Sequence, residues 1–388
     1  MRAGAGPEFC RRPRGVLRGA ALTLVFAGVL ATAAATGALP RQERPGEPAR
    51  AVPGSTVDRA ALARAAAEAI ADGKSGKKAA EEFVSRSGDR WGAVYDKREY
   101  AEFEQALDGS YTGVGLSARK GARDRVEISR VQAGGPAERA GLRPGDRLTS
   151  VDGRAVGGLS VSEVVSLLRG GGVSGSSVAL GVERGRSAWT QTLRRARLET
   201  DPVTVRRLAD GTVLIRVAAF TKGTGDRVRE AVRRAPAGAG VLLDLRGNSG
   251  GLLAEAATAA SAFLDGGLVA TYDVDGEQRA VYAERGGDTA RPLVALIDGG
   301  TMSAAELLTG ALQDRGRAVT VGSRTFGKGS VQMPSTLPDG SVAELTVGHY
   351  RTPAGHAVDG RGITPDLAAG DRAEDRARTV LSGLGGAS

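Results

Sequence analysis

The sequence predicts a multidomain α/β protein, and three observations support this fold class. From residue 197 onward, strand patterns alternate with helical ones, as expected for helices packed on a sheet. Residues 109–196 hold closely spaced strand patterns that indicate a separate small β-rich unit. Residues 57–108 show apolar residues at helical spacing and predict an N-terminal helical region. The 388-residue chain is long enough for several domains, each with its own core.

The composition is that of a globular protein, with 41% hydrophobic and 25% charged residues. Aromatic residues make up only 4% and there are 58 glycines, so we expect cores of Ala, Val and Leu joined by glycine turns. The formal net charge is +9, of which five arginines and one glutamate within residues 1–18 supply +4. The remaining charge is spread thinly, without a basic run beside aromatics, which argues against nucleic-acid binding.

Residues 1–39 predict a secretory signal peptide or an uncleaved membrane anchor. An uncharged apolar stretch over residues 19–39 is preceded by Arg11, Arg12, Arg14 and Arg18. Positive charge in this position places the N-terminus inside the cell and the remainder outside, so the expected location is extracytoplasmic, secreted or anchored to the cell membrane. Cys10, the only cysteine, excludes an internal disulfide and a cysteine-based metal site.

A Pro- and Arg-rich stretch over residues 40–56 predicts a linker to the helical region. In the β-rich unit, strand patterns begin at Val114 and continue at residues 126–131, 147–151, 178–183 and 189–193. Helical patterns cover residues 135–141 and 160–169 of the same unit.

The α/β core is assigned to residues 197–372, and residues 373–388 are assigned to a C-terminal tail. Strands are expected at residues 213–217, 241–245, 293–297, 318–321 and 345–350. Helices are expected at residues 252–263 and 304–313.

Two segments of this core carry candidate catalytic chemistry. Ser303 lies in the string GTMSAAE at residues 300–306, at the expected start of a helix, where free N–H groups favour negative charge. Lys328 lies in the string FGKGSVQ at residues 326–332, between two glycines. A serine hydroxyl needs a base to become a nucleophile, and serine–lysine pairs are a known arrangement. Because the chain has only two histidines, a lysine base is a natural candidate.

The chemistry requires Lys328 to lose its proton. A free lysine, with a pKa of about 10.4, is neutral in roughly one molecule in a thousand near pH 7.4. Burial would lower this pKa by disfavouring the ammonium. Taken singly, each segment has a simpler interpretation: residues 303–306 also fit a helix capping box, and a lysine in a glycine turn also fits a solvated surface charge.

Residues 109–196 resemble a PDZ domain of the bacterial protease type. The matching strings are YTGVGL at residues 111–116, GPAERAGLRPGDRL at residues 135–148 and VDG at residues 151–153. The resemblance implies capture of an extended peptide by strand addition, with backbone N–H groups holding a C-terminal carboxylate. The loop that would hold the carboxylate consists of Gly113, Val114, Gly115 and Leu116. The alternative is a small β-domain that only packs.

Further strings extend the likeness beyond this unit. They are DLRGNSGGLL at residues 244–253, GTMSAAE at 300–306, GALQD at 310–314, GSRTFGKGSVQ at 322–332, PAG at 353–355 and GITPD at 362–366. With the PDZ strings, they make the chain similar to the carboxyl-terminal processing proteases, or tail-specific proteases, from about Trp91 to Asp366. The resemblance implies a ClpP/crotonase-like α/β protease core with an inserted PDZ domain and an N-terminal helical segment.

The resemblance also implies roles for single residues. Ser303 would be the nucleophile and Lys328 the general base, with Gln332 orienting or hydrogen-bonding the lysine. Met302 replaces a small residue of the family pattern, which makes the wall of the site bulkier and changes the expected subsite preference rather than the catalysis. Such an enzyme needs no metal and no cofactor.

The oxyanion hole would be formed by the N–H of Ala304 together with Gly250 or Gly251, and of the two glycines we expect Gly250. Arg169 matches a PDZ arginine that couples peptide binding to the alignment of the site in relatives. A charge that complements the end of its helix is the alternative role for Arg169.

The sequence thus predicts an exported serine endopeptidase whose partners are polypeptides bound through their C-terminal tails. It also predicts a membrane contact through an uncleaved N-terminal segment, and it is compatible with a homo-oligomer. One alternative is a non-catalytic PDZ scaffold that binds peptides. Another is an α/β-hydrolase, because GNSGG at residues 247–251 matches a nucleophile elbow that would use Ser249 with His349 or His356.

Overall fold

The N-terminal region is built from helices that carry their own caps. A computed structural model describes residues 57–121, 125–274 and 277–385, so the predicted leader (residues 1–39) and linker (residues 40–56) lie outside the described residues. The elements of this region are α1 (Arg59–Ala71), α2 (Gly76–Ser87), β1 (Ala93–Tyr95) and α3 (Lys97–Leu107). Asp58 and Ser75 cap α1 and α2, and Asp96 forms a capping box at α3.

The β-rich unit predicted from the sequence follows and has a hydrophobic core of its own. Its elements are β2 (Ser110–Gly113), β3 (Leu116–Lys120), β4 (Val126–Val131), α4 (Pro136–Arg139), β5 (Arg147–Val151), β6 (Arg154–Ala155), α5 (Val161–Arg169), β7 (Ser177–Arg184), β8 (Ser187–Arg194) and β9 (Ala196–Glu199). The strands β3-β4-β5-β7-β8 form one sheet in that order, β6 pairs with β5, and β2 pairs with β9. The core is centred on Ile128, Leu148, Val164 and Leu180.

The α/β core completes the described chain. Its elements are β10 (Val203–Arg207), β11 (Val213–Val217), α6 (Thr224–Arg234), β12 (Val241–Asp244), α7 (Leu253–Ala260), β13 (Leu268–Val274), β14 (Glu277–Tyr282), β15 (Leu293–Ile297), α8 (Ala304–Asp314), β16 (Val319–Gly322), β17 (Ser330–Thr336), β18 (Val342–Arg351), β19 (Leu367–Ala368) and α9 (Ala373–Gly385).

A six-stranded sheet in the order β10-β11-β12-β15-β16-β19 forms the centre of this core. Only β10 runs antiparallel to its neighbour, and the other pairs are parallel. Helices α6, α7 and α8 cover one face of the sheet, where Leu243 lies, and α9 covers the other, where Leu242 lies. All five residues of β15 are buried, as expected for a parallel strand with helices on both sides.

A second sheet joins the N-terminal region to the core. It runs β1-β18-β13-β14, with β17 also paired to β18. The first strand therefore lies within the region that the sequence predicts as an N-terminal helical region. Helices α1 and α2 pack against the same sheet through Leu62, Ala80 and Leu345. The N-terminal region is thus part of the wall of the core.

Two helices were not predicted, for different reasons. Helix α6 is strongly charged, and its apolar contacts with the core come mainly from Val228 and Val232. Helix α9 occupies most of the predicted C-terminal tail, where Ala373, Ala377 and Leu381 pack against the sheet at four-residue spacing. Within residues 57–121, 125–274 and 277–385, no helix has both the length and the apolar character needed to cross a membrane.

We predict that Gly348→Ala weakens the fold. Gly348 lies in β18, and a Cβ at this position would clash with the carbonyl oxygen of Asp273 in β13. The free energy of unfolding in urea should fall by about 1–3 kcal/mol. The control is Gly157→Ala, at an exposed site with open space, which should change it by less than about 0.5 kcal/mol. Equal stability of the two variants would contradict the packing described here.

Candidate active site

Three loops leave the central sheet at the carboxyl ends of neighbouring strands. Residues 245–252 follow β12, residues 298–303 follow β15, and residues 323–329 follow β16. In open parallel sheets, this edge is where ligands bind, because the loops of adjacent strands meet there. The three loops carry the glycine pair, Ser303 and Lys328, so the fold places the predicted motifs at one edge.

Hydrogen bonds fix the three loops to one another. The Asp298 carboxylate accepts a hydrogen bond from the N–H of Gly247 at 2.8 Å. The N–H of Met302 donates to the carbonyl of Asn248 at 2.8 Å, and the N–H of Phe326 donates to the carbonyl of Thr301 at 3.0 Å. The loops therefore form one rigid edge.

Ser303 adopts an unusual backbone conformation at the start of α8. Its φ is 53° and its ψ is −119°. Among the described residues, Asp152 is the only other non-glycine residue with positive φ. A serine in this region is strained, and such strain is commonly found at functional sites. The conformation marks Ser303 as a residue whose position is imposed by its surroundings.

The Glu306 carboxylate imposes much of that position. This side chain is fully buried and accepts the N–H of Ser303 at 2.9 Å. It also accepts the N–H of Lys328 at 2.8 Å, the N–H of Gly327 at 2.7 Å and the hydroxyl of Thr325 at 2.6 Å. One carboxylate thus holds the backbones of both predicted catalytic residues.

Burial raises the pKa of the Glu306 carboxyl above its ordinary value, although its hydrogen bonds oppose this effect. The sequence predicts only a capping residue at this position, because the SAAE spacing is the same for an ordinary helix start. The contacts with residues 325–328 are long-range, and the capping pattern gives no signal of them.

Tyr350 forms a second link between the two loops. Its hydroxyl lies 2.9 Å from the carbonyl oxygen of Ser303 and 3.1 Å from that of Lys328. Burial raises the pKa of the Tyr350 phenol well above its ordinary value, so the group remains a donor. Tyr350 belongs to none of the sequence motifs that indicate the site.

The Lys328 amine lies in a largely dry and acidic environment. Burial lowers its pKa below the ordinary value, while nearby carboxylates oppose the shift, namely Glu344, Asp89, Asp359 and Glu306. The Nζ atom is 5.2 Å from the centroid of the Trp91 ring. In the described part of the chain, no hydrogen bond joins the Lys328 amine to the Ser303 hydroxyl. Catalytic hydrogen bonds are often incomplete before substrate binds.

Gln332 does not make the expected contact with the lysine. Its amide donates to the Ser330 hydroxyl at 2.9 Å, and among the described residues it forms no hydrogen bond with Lys328. A register shift between Val331 and Gln332 interrupts the pairing of β17 with β18 at this point. The spacing of Lys328 and Gln332 in the sequence could not reveal this shift in strand register, which changes the position of the Gln332 side chain.

The glycine loop packs directly against Ser303. A Cβ at Gly250 would lie 2.8 Å from the Cβ of Ser303, so only glycine fits. However, the N–H of Gly250 donates to the Asn248 side chain at 2.9 Å, which does not favour it as the oxyanion donor. The N–H groups of Gly251 and Ala304 have no hydrogen-bond partner within the described residues.

The predicted carboxylate loop joins β2 to β3. Of its four residues, Gly113 ends β2, Leu116 begins β3, and Gly115 has a φ of 77°. Val114 is buried, and its carbonyl accepts the N–H of Ala137 at 2.8 Å. The strand β3 lies at the edge of its sheet, beside helix α5. A peptide can therefore be added along β3, as strand addition requires.

Arg169 is the last residue of helix α5, and its side chain also contacts a residue of another element. Its guanidinium carbon lies 5.9 Å from the ring centroid of Tyr111 in β2. The Tyr111 hydroxyl in turn donates to Gln132 at 2.8 Å. Arg169 is thus placed beside the strand that leads into the carboxylate loop.

The serine and histidines of the α/β-hydrolase alternative form no triad. His349 Nε2 lies 3.8 Å from Asp359, and His356 Nδ1 lies 3.5 Å from Asp314. Neither histidine is hydrogen-bonded to Ser249 in the described residues. The geometry gives this alternative no base.

The families and relatives that this chain resembles agree with the arrangement of the site. The sequence pattern of peptidase family S41 matches residues 211–369, and that of the PDZ domain matches residues 127–184. A "Probable CtpA-like serine protease" of Staphylococcus aureus is 32% identical over 310 residues, which cover 76% of this chain and 60% of the relative. The chloroplastic C-terminal processing peptidase of Tetradesmus obliquus is 37% identical over 289 residues, covering 69% and 62%. The chain therefore spans about three fifths of the length of these curated relatives.

Solved structures give the same result. The photosystem II D1 C-terminal processing protease is 31% identical, with a TM-score of 0.50 over 80% of this chain and 86% of the other. A putative S41 protease from Bacteroides fragilis shares the fold at 17% identity, with a TM-score of 0.52 over 90% of this chain and 100% of the other. From these matches together, we conclude that the chain belongs to peptidase family S41 and contains a PDZ domain.

Proposed function

We propose that this protein is a serine endopeptidase in which Ser303 is the nucleophile and Lys328 its general base. One observation carries the proposal: the Glu306 carboxylate binds the backbones of a strained serine and of a lysine whose amine is buried. A structural role alone gives no reason to hold a serine in a strained conformation and to join its backbone to that of such a lysine through one carboxylate. The names of the relatives from Staphylococcus aureus and Tetradesmus obliquus support the same activity.

In the proposed first step, the neutral Lys328 amine moves from the Trp91 ring to the Ser303 hydroxyl and takes its proton as Oγ attacks the scissile carbonyl carbon. The carbonyl oxygen becomes negatively charged. We assign the N–H groups of Gly251 and Ala304 as its donors, since both are free of other partners in the described chain. The second of these lies at the start of α8, where the helix dipole adds to the stabilisation.

The Lys328 ammonium then gives its proton to the departing amine, which leaves an acyl group on Ser303. The regenerated neutral amine activates a water molecule, and hydrolysis of the ester frees the serine. Gln332 acts on the lysine only after its side chain leaves Ser330.

The PDZ domain is proposed to deliver substrates. Its edge strand β3 would pair with an extended C-terminal tail, and the loop from Gly113 to Leu116 would bind the terminal carboxylate. Arg169 would couple the binding of a peptide to the PDZ domain with the alignment of the loops that carry Ser303 and Lys328. The charge pattern of residues 1–39 supports an exported protein, with the membrane as a further partner wherever that segment is retained.

The first test of the activity is a fluorogenic peptide assay. We expect Ser303→Ala, Lys328→Ala and Lys328→Arg each to reduce kcat/KM at least about a thousandfold. Alanine has neither a hydroxyl to attack the substrate nor an amine to accept a proton, and arginine does not lose its proton. Circular dichroism should show that all three variants fold. A double variant with His349→Ala and His356→Ala should retain cleavage.

Two results would count against the proposal. An active Lys328→Arg enzyme would exclude lysine as the base. Equal signals from the wild type and Ser303→Ala would favour the non-catalytic PDZ scaffold instead.

A second prediction concerns the buried carboxylate. Glu306→Gln should lower the free energy of unfolding by about 2–3 kcal/mol, because an amide nitrogen would face donors and leave a buried N–H unpaired. It should also reduce kcat, because the two loops lose their common anchor. The matched control is Glu163→Gln in the exposed capping box of α5, which should leave the free energy of unfolding nearly unchanged. If both variants behaved alike in denaturant and in the assay, Glu306 would be an ordinary cap.

A third prediction concerns the PDZ domain. Amidation of a substrate's C-terminus should weaken its capture roughly 10- to 100-fold, because a charged hydrogen-bond acceptor is lost. The KM of a long peptide measures this effect, and blocking the N-terminus of the same peptide is the control. Unchanged processing of the amidated peptide would remove the basis for tail recognition.

A further inference from the structure

An aromatic residue outside the predicted motifs contacts the Lys328 amine. Trp91 belongs to the turn between α2 and β1, in the N-terminal region. Its ring centroid lies 5.2 Å from Lys328 Nζ, within the range of a cation–π contact. The Phe326 ring, two residues before the lysine, lies 5.7 Å from the same ring. The tryptophan therefore packs against the lysine loop at two points.

The turn that carries Trp91 is anchored to the core. The Asp89 carboxylate accepts the N–H of Trp91 at 3.1 Å. The same carboxylate accepts the N–H of Thr346 at 2.8 Å and its hydroxyl at 2.7 Å. Thr346 lies in β18, and β1 pairs with that strand directly after the turn. The ring is thus held at a fixed place relative to β18.

The ring's own polar group plays no part in this anchoring. The Trp91 Nε1 is buried and has no hydrogen-bond partner among the residues that the structure describes. A buried donor left unpaired lowers stability, so a purely structural role would favour an apolar residue of similar size. The contact with Lys328 gives a reason for an indole at this position, since the indole is the best π-face for a cation.

We propose that Trp91 is a positioning residue for Lys328: its ring excludes water from the amine and holds the amine in place until substrate binds. The inference rests on the proposed role of Lys328 as the general base. It assigns the N-terminal region a part in building the catalytic site, because that region supplies one wall of the lysine environment.

The charges around the lysine make this wall important. Four carboxylates from different segments face the amine and favour its protonated form, namely Asp89, Glu306, Glu344 and Asp359. All four have partners of their own: Asp89 and Glu306 accept the hydrogen bonds described above, Tyr100 hydrogen-bonds Glu344, and His349 lies 3.8 Å from Asp359. A second cation, Arg90, lies 4.8 Å from the Trp91 ring centroid. Exclusion of water is the effect that opposes the carboxylates and lowers the pKa of Lys328.

The ring has two effects of opposite sign, and two variants separate them. Trp91→Ala removes both the π-face and the barrier to water. Desolvation of a buried lysine generally moves its pKa further than a single cation–π contact does, so the pKa of Lys328 should rise in this variant by roughly one unit. Trp91→Leu keeps an apolar barrier but removes the attraction to the cation. The pKa should then fall, by roughly half a unit to one unit.

The measurement is the pH dependence of Lys328 acetylation by limiting acetic anhydride, read by mass spectrometry of the peptide that contains it. It is made on the full chain carrying Ser303→Ala, so that it needs no turnover. Failure of the proposed peptidase activity in the fluorogenic assay is therefore separate from failure of this inference. The matched control is Trp189→Ala, which removes the other tryptophan, packed under Arg184 in the PDZ domain.

Opposite shifts in the two Trp91 variants, with no shift in the control, would support the proposal. An unchanged Lys328 titration in a folded Trp91→Ala protein would overturn it, as would a shift in the control. If Trp91→Ala does not fold, Trp91→Leu alone decides, because a titration that is unchanged or raised in that variant also overturns the proposal.

Discussion

The loops that carry Ser303 and Lys328 are held together by one buried carboxylate. Glu306 binds the backbone at Ser303 and at Lys328, and it is itself fixed within α8, whose apolar face lies in the core. A charged group in this position is stable only because several donors surround it. Loss of the Glu306 carboxylate would therefore disturb the start of the helix, the strained serine and the lysine loop at the same time.

The parallel sheet explains why these groups can meet at all. Adjacent strands β12, β15 and β16 end at one edge, so segments distant in the chain become neighbours there. The second sheet then closes the site from the side, with Tyr350 beneath the loops and Trp91 beside the amine. The first sheet brings Ser303 and Lys328 to a common edge, and the second adds a link between their loops.

The sequence predicted the parts of the fold that have strong local patterns. The strands β11 and β15 have the expected bounds, because short runs of Val, Leu and Ile between turns have few other interpretations. Helix α9 was not predicted, because its few apolar residues form a recognisable buried face only where they pack against the sheet. The motifs indicated Ser303 and Lys328, but the role of Glu306, the engaged Gly250 N–H and the contact of Trp91 arise from tertiary packing. No local spacing encodes such contacts.

The dispersed origin of the site has a consequence for the life of the chain. Parallel strands form late in folding. Segments that are distant in the chain must first be brought together, and this costs chain entropy before any contact between them contributes stabilising free energy. A nascent or partly unfolded molecule has the serine and the lysine but not their common edge. The arrangement proposed for catalysis would therefore appear only at the end of folding, so the proposed activity would be absent from a newly made chain.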